Sequence, residues 1–295
     1  MLANVRAFFS EHHVLEVDCP ALSLAACVDT HIDPMRVEMG KNSFGYLHTS
    51  PEYGMKELLS HGLGDIYQMS HVFRREESGP YHLPEFMMVE WYRCGFSFEQ
   101  MIEETLTFTR LFLGPKPART LTYRQAFLEY VGIDYVNADA RALLRCAEEH
   151  DLELSPDAKN SDRDTLLQCL MSFLIEPKLP KDELVVIRDY PATQAALAQT
   201  HERGDEHFAE RFEVYFGGLE LANGYHELAD AVEQRKRFEE ANHERQKLGK
   251  QALPIDENFL AALKRGLPDC CGVAVGFDRL MLLKHEATTL DYFHF

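Results

Sequence analysis

The chain reads as an α+β protein, an antiparallel β-sheet flanked by helices, organised as a single domain over residues 1–295. Two observations predict this. The runs "DIYQMSHVFRREE" and "EFMMVEWY" are strand-like, and the "SGPYHLP" between them carries the loop formers Gly79, Pro80 and Pro84. That is the pattern of a long antiparallel hairpin with a wide loop. The element order is also strand-rich, with hairpins in place of regular βαβ units.

The elements follow in order. Residues 3–13 read as a helix with Val5, Phe8 and Phe9 on one side, and "VLEVDCPAL" as a short strand ending at Pro20. After the hairpin, Ser97 and Gln100 have the spacing of a capping box before an apolar-periodic helix through about Leu113. Residues 114–190 are mixed, and Ser161 and Asp164 resemble a helix start before "TLLQCLMSFLI". "RFEVYFGGLEL" reads as a strand with a bulge at Gly217-Gly218. "ADAVEQRKRFEEANHERQKLG" is a charged helix with a solvated face, and "GVAVGFDRLMLL" a strand running into a helix.

Composition narrows the function. Hydrophobic residues make up 45% and charged residues 26%, ordinary values for a globular protein. Thirty basic residues against 48 acidic ones give a formal net charge of −18, which opposes broad nucleic-acid binding, since that depends on cations replacing counterions. No apolar run is long enough to span a bilayer, and "MLANVRAFFSEHHVLEV" is too polar for a signal peptide. The seven cysteines include no C-x-x-C pair, so neither a zinc site nor a disulfide framework is visible; reduced thiols and a cytoplasmic location are expected.

The chemistry concentrates at residues 73–92. Strand alternation puts Phe86, Met88, Glu90 and Tyr92 on one face and Met87, Val89 and Trp91 on the other; Arg74 and Glu76 share a face of the preceding run. A face with a cation, carboxylates and rings suits a ligand with an anionic part, an amine and a flat base. A surface hairpin with ordinary ion pairs would look the same. The chain has no G-x-x-x-x-G-K-[ST] loop and no G-x-G-x-x-G turn. Any nucleotide must then be held by arginines, carboxylate-bound Mg²⁺ and the hairpin. Glu213 and Glu220 are candidate Mg²⁺ ligands, but their opposite strand parity requires a bulge between them. Asn223, Tyr225 and Glu227 share parity, and Arg279 in "VGFDRL" either meets a ligand or simply opens a helix.

Together these residues resemble the class II aminoacyl-tRNA synthetases, specifically the lysyl group, over nearly the whole chain. "FRREE…HLPEF" resembles that class's second motif, "VGFDRL" its third, and the helix and strand leading to Pro20 its dimer-forming first. "TSPEY-x-MK-x-LL" and "LANGYHEL" are similar to the lysine-pocket signatures. The details resemble a stand-alone branch that attaches lysine, preferably (R)-β-lysine, to a lysine of translation elongation factor P. "FRREE-x-x-x-YH-x-PEFMM-x-EWYR" is close to that branch's pattern, and Ala274 stands where the tRNA enzymes have Gly. Leu83 and Met87 depart from the pattern, where Asn and Thr are usual.

The resemblance implies a class II catalytic domain acting as a homodimer with ATP and Mg²⁺. Arg74 would hold the α-phosphate and substrate carboxylate; His82 and Arg279 would hold the outer phosphates. Phe86 would stack on adenine with Glu76 beside it, and Glu213 and Glu220 would carry Mg²⁺. Glu52 would meet one substrate amine, Glu90, Tyr92 and Glu227 the side-chain ammonium, and Asn223 the carboxylate side, with Ala274 lining the pocket. Bacterial lysyl-tRNA synthetases carry an anticodon-binding domain before the first motif. Here only a few residues precede that helix, so elongation factor P rather than tRNA is the expected acceptor. The rivals are a truncated lysyl-tRNA synthetase and an inactive protein that senses lysine or ATP.

Overall fold

The computed structural model describes residues 1–290 other than 42, 156–158, 160 and 161, so Ser161 lies outside the described residues. The chain forms two compact units, Met1–Gly114 with His226–Phe295, and Pro115–Tyr225. In chain order the first unit begins with α1 (Leu2–Glu11), β1 (Leu15–Glu16), β2 (Leu22–Ser23), β3 (Arg36–Gly40), β4 (Ser43–Leu47), α2 (Glu52–Ser60), β5 (Ile66–Phe73), β6 (Glu85–Cys94) and α3 (Phe98–Leu113). The second unit holds β7 (Ala118–Thr122), α4 (Tyr123–Val131), α5 (Ala140–Glu149), α6 (Arg163–Leu170), β8 (Leu184–Pro191), β9 (Thr200–Arg203), β10 (Glu206–Phe216) and β11 (Leu219–His226). The chain then completes the first unit with α7 (Ala231–Lys247), α8 (Glu257–Gly266), β12 (Cys270–Gly276) and α9 (Phe277–Lys284).

In the first unit the strands run in the order β1–β5–β6–β12, with β2–β4–β3 forming a small separate sheet. The β5–β6 hairpin is the one expected, registered from Ile66 opposite Tyr92 to Phe73 opposite Glu85. β12 continues it antiparallel, from Cys270 opposite Cys94 to Gly276 opposite Met88. Because opposite residues project to one side, Phe86, Met88, Glu90 and Tyr92 share a face with Gly272, Ala274 and Gly276. The other face packs as core: Trp91 is fully buried, its ring 5.3 Å from Phe9 of α1 and 5.0 Å from Phe108 of α3. Its indole N–H donates to Glu104 at 2.9 Å, so the buried polar tip is satisfied. α1 buries Val5, Phe8 and Phe9 as its spacing predicts. The capping box of α3 forms, with Gln100 N–H on Ser97 Oγ at 3.2 Å and Ser97 N–H on Gln100 Oε1 at 2.8 Å.

In the second unit the order is β11–β10–β8–β7, with β9 paired to β10. Tyr123, Phe127, Leu166, Leu167 and Ile187 are fully or almost fully buried at its core. The helix α6 is capped by Asp162, whose carboxylate accepts from Thr165 N–H at 2.8 Å. The glycines Gly217 and Gly218 are not a bulge. They form the two-residue turn between β10 and β11, with φ of 64° and 85°. Positive φ at both turn positions suits the right-handed twist of the strands, and glycine adopts it without steric cost. The irregularity lies further on, where Val214 faces Ala222 but Tyr215 faces Glu220, leaving Leu221 as the extra residue. All seven cysteines are free thiols. Among the described residues no helix is long and apolar enough to cross a membrane.

Candidate active site

The polar face of the first unit's sheet carries a buried carboxylate cluster. Glu52 opens α2, Glu90 lies mid-β6, and Glu227 follows β11, its N–H bonded to Cys270 O of β12 at 3.0 Å. Glu90 and Glu227 are each 2% exposed. Isolated charges at such depth are costly and require partners. Glu90 accepts from Tyr92 Oη and from Ser50 Oγ, each at 2.6 Å. Glu52 and Glu227 share the ammonium of Lys56, whose Nζ lies 2.5 Å from one oxygen of each.

Two carboxylates thus grip one internal ammonium and Glu90 is the third acid of the cluster, so with all three ionised the cluster and Lys56 sum to two negative charges in excess. Burial, reinforced by the charge on Glu52, pushes the Glu90 carboxyl up to about 7. Burial pushes Glu227 up to about 8 against the pull of Lys56. For Lys56 burial works to neutralise the ammonium, but Glu227 and Glu52 outweigh it and hold it charged. The site therefore favours the arrival of further cations.

The same face continues to Phe86, where the Arg74 guanidinium carbon lies 5.1 Å from the ring centroid. Arg74 follows the end of β5; its Nε donates to Thr49 O at 3.4 Å and its Nη1 lies 3.5 Å from Glu77. Arg279, at the start of α9, approaches His82 Nε2 at 2.8 Å through Nη2. Burial and the Arg279 charge hold the His82 imidazole below its usual range, so it accepts this bond as a neutral ring. Glu76 does not join Arg74. β5 ends at Phe73, Glu76 has φ of 65°, and its exposed carboxylate pairs with Arg75 at 2.9 Å, so strand alternation does not extend to it.

The second unit holds the other predicted oxygens. Leu221 supplies the bulge that the parity argument required, displaced from the glycines. With Glu213 opposite Asn223 and Tyr215 opposite Glu220, both carboxylates and Asn223 project to one face of the β10–β11 hairpin. The Glu213 carboxylate accepts from Arg211 Nη2 at 2.6 Å and from the hydroxyls of Tyr190 and Tyr215. Asn223 Oδ1 is buried without a hydrogen-bond donor. Two carboxylates and an orphan amide oxygen are hard donors that suit a small divalent cation.

A family model described as tRNA synthetases class II (D, K and N) matches residues 1–291. The chain belongs to that family. Among curated relatives, the elongation factor P–(R)-β-lysine ligase of Edwardsiella ictaluri is 45% identical over 99% of this chain and 90% of its own length. The protein of the same name from Avibacterium paragallinarum is 47% identical over 96% of this chain and 88% of its own. That from Haemophilus influenzae (strain PittGG) is 47% identical over 99% and 90%.

Two features of the pocket were given no role by the sequence: Lys56, quoted only as a letter of its motif, and Gly272. Lys56 lies four residues after Glu52, a spacing that ordinarily marks a solvent-exposed helix pair. Gly272 lies beneath the cluster: a Cβ there would come within 2.4 Å of both Glu227 Oε1 and the Tyr92 ring. Only a residue without a side chain admits the carboxylate and the ring together. Nothing in the local pattern of "CCGVAVG" separates this glycine from Gly276.

Proposed function

We propose that this chain is an ATP-dependent amino-acid ligase. It activates (R)-β-lysine, or lysine, as an aminoacyl-adenylate and transfers it to a lysine side chain of translation elongation factor P. The buried trio Glu52, Glu90 and Glu227 around one internal Lys56 carries this reading, because its two excess negative charges equal the number of ammonium groups on a diamino acid. Family membership supports the reaction class, and the names of the relatives support the acceptor.

In the first step a substrate carboxylate oxygen attacks the α-phosphorus of ATP, and pyrophosphate leaves. Arg74 would hold the carboxylate and α-phosphate, stabilising charge by position rather than by proton transfer. Phe86 would stack on adenine, with the exposed Glu76 at its side, and Arg279 with neutral His82 would receive the outer phosphates. Glu52 would take one substrate ammonium, and Glu90 with Glu227 the other. The Tyr92 hydroxyl is committed to Glu90, so Tyr92 would orient that carboxylate. Asn223 would serve the substrate's carboxylate side through its amide N–H. Glu213 and Glu220 fit Mg²⁺, which when bound neutralises phosphate charge. In the second step the acceptor amine attacks the adenylate carbonyl, an amide forms, and AMP leaves.

A cytoplasmic homodimer completes the proposal. The exposed Leu2, Leu15, Leu22 and Leu24 of the N-terminal elements support an interface there. The test is transfer of labelled (R)-β-lysine to purified elongation factor P or to tRNA. Label on the protein supports the reading, and label on tRNA alone replaces it with a tRNA-charging enzyme.

A further inference from the structure

The trio of carboxylates holds a cation, Lys56. Lys56 is wholly enclosed: its side chain has 0% exposure, and Glu52 and Glu227 flank its Nζ. A buried lysine normally escapes by losing its proton, but here two carboxylates keep it charged. Burying this ammonium is costly, and a neutral side chain could fill the same volume at lower cost. Its charge must therefore serve the carboxylates around it. Among the described residues, the groups facing it are Glu52 on its own helix, Glu227 beyond β11, Glu90 and Tyr92 on β6, Cys27 between β2 and β3 and Cys270 on β12. Lys56 is the sole cation among them.

We propose that Lys56 is a positioning and specificity-determining residue: its fixed ammonium binds Glu52 to Glu227 and leaves the pocket two negative charges in excess, matched to a substrate with two ammonium groups. This rests on the reading of the pocket as a diamino-acid site. Because one ammonium touches both carboxylates, their separation is limited to what that ammonium can bridge. Without Lys56, three carboxylates would face two substrate ammonium groups, and Glu52 and Glu227 would repel.

Lys56→Met, similar in length and neutral, is the direct test. Its effect should fall on the amino acid and not on ATP: the lysine KM rises by roughly tenfold or more while the ATP KM stays within about twofold, the signature of lost substrate binding. Lys56→Arg, which keeps the charge, should recover most of the lysine affinity. Lys56→Ala should be rescued by added propylammonium and not by 1-propanol, a contrast that simple packing would not produce. The account is overturned if Lys56→Met binds lysine as the wild type does, if lysine and ATP suffer equally, or if the alcohol rescues as well as the amine. Should Lys56→Met not fold, Lys56→Arg decides: loss of lysine binding with ATP binding retained contradicts a role carried by charge. Lysine binding to the ATP-free protein, followed by calorimetry, separates this from the parent reading, which fails only if the wild type shows no lysine binding and no lysine-dependent exchange.

Discussion

Ala274 of β12 lies directly across from Glu90 of β6, so its methyl group and that carboxylate stand on one face of the sheet. Ala274 is half-buried there, flanked on the same face by Gly272 and Gly276. A methyl group between two glycines narrows the pocket at one point beside the group assigned to a substrate ammonium.

Ala274→Gly should therefore shift the kcat/KM ratio from (R)-β-lysine towards α-lysine, whose amine lies one carbon closer to its carboxylate. A difference of this size in a pocket is worth about 1–3 kcal/mol. Exchange kinetics with the two lysines measure it. An unmoved ratio would reduce Ala274 to packing.

Gly272→Ala should be more damaging. The new Cβ would meet Glu227 and the Tyr92 ring at 2.4 Å, closer than any side chain tolerates. Overpacking of this kind costs about 1–3 kcal/mol. The loss should appear as a raised lysine KM with the ATP KM preserved, since Arg74 and Arg279 are untouched.

Arg74→Ala and Arg279→Ala should do the reverse. Each removes a cation from the proposed phosphate path, and removing one such donor costs about 10²–10³ in rate. ATP–pyrophosphate exchange should collapse while the melting temperature holds. Near-normal exchange would remove these arginines from the reaction.

The pocket also makes lysine binding depend on pH. With Glu90 raised to about 7 and Glu227 to about 8, the two excess negative charges of the trio are complete only toward the upper end of this range, and only the ionised forms attract ammonium groups. As pH rises from 6 to 8 the carboxyl protons leave, so the lysine KM should fall across roughly this window and flatten above it, until the substrate's own amines titrate. Glu90→Gln should weaken the dependence. A flat profile in the wild type would show that the carboxylates are already ionised at pH 6.

What the sequence disclosed follows from how local each signal is. Strand alternation alone put Phe86, Glu90 and Tyr92 on one face, and the β5–β6 register agrees. The same rule failed at Glu76, because β5 stops at Phe73 and alternation has no meaning in a turn. It left Glu213 and Glu220 on opposite faces until Leu221 shifted the register, and a single extra residue leaves no clear trace in composition. The buried role of Lys56 was hidden for a different reason. Beside Glu52 it looks like a surface pair, and its burial becomes apparent only when Glu227, remote in the chain, closes over it. Gly272 likewise acquires its meaning from Tyr92 and Glu227 rather than from its neighbours.

The most direct test of the central claim is ATP–pyrophosphate exchange with an amino acid that has lost one ammonium group. Lysine, (R)-β-lysine and norleucine share a chain of similar length, but norleucine lacks the side-chain amine. A site built to pair buried polar groups rejects an analogue lacking one of them by about 10⁴–10⁵. The account predicts robust exchange with both lysines and a loss approaching that size with norleucine, because Glu90 would stay buried without a cation and Glu227 would have Lys56 alone. Comparable exchange with norleucine would contradict it, and the carboxylate cluster around Lys56 would then be part of the scaffold rather than the reader of the substrate.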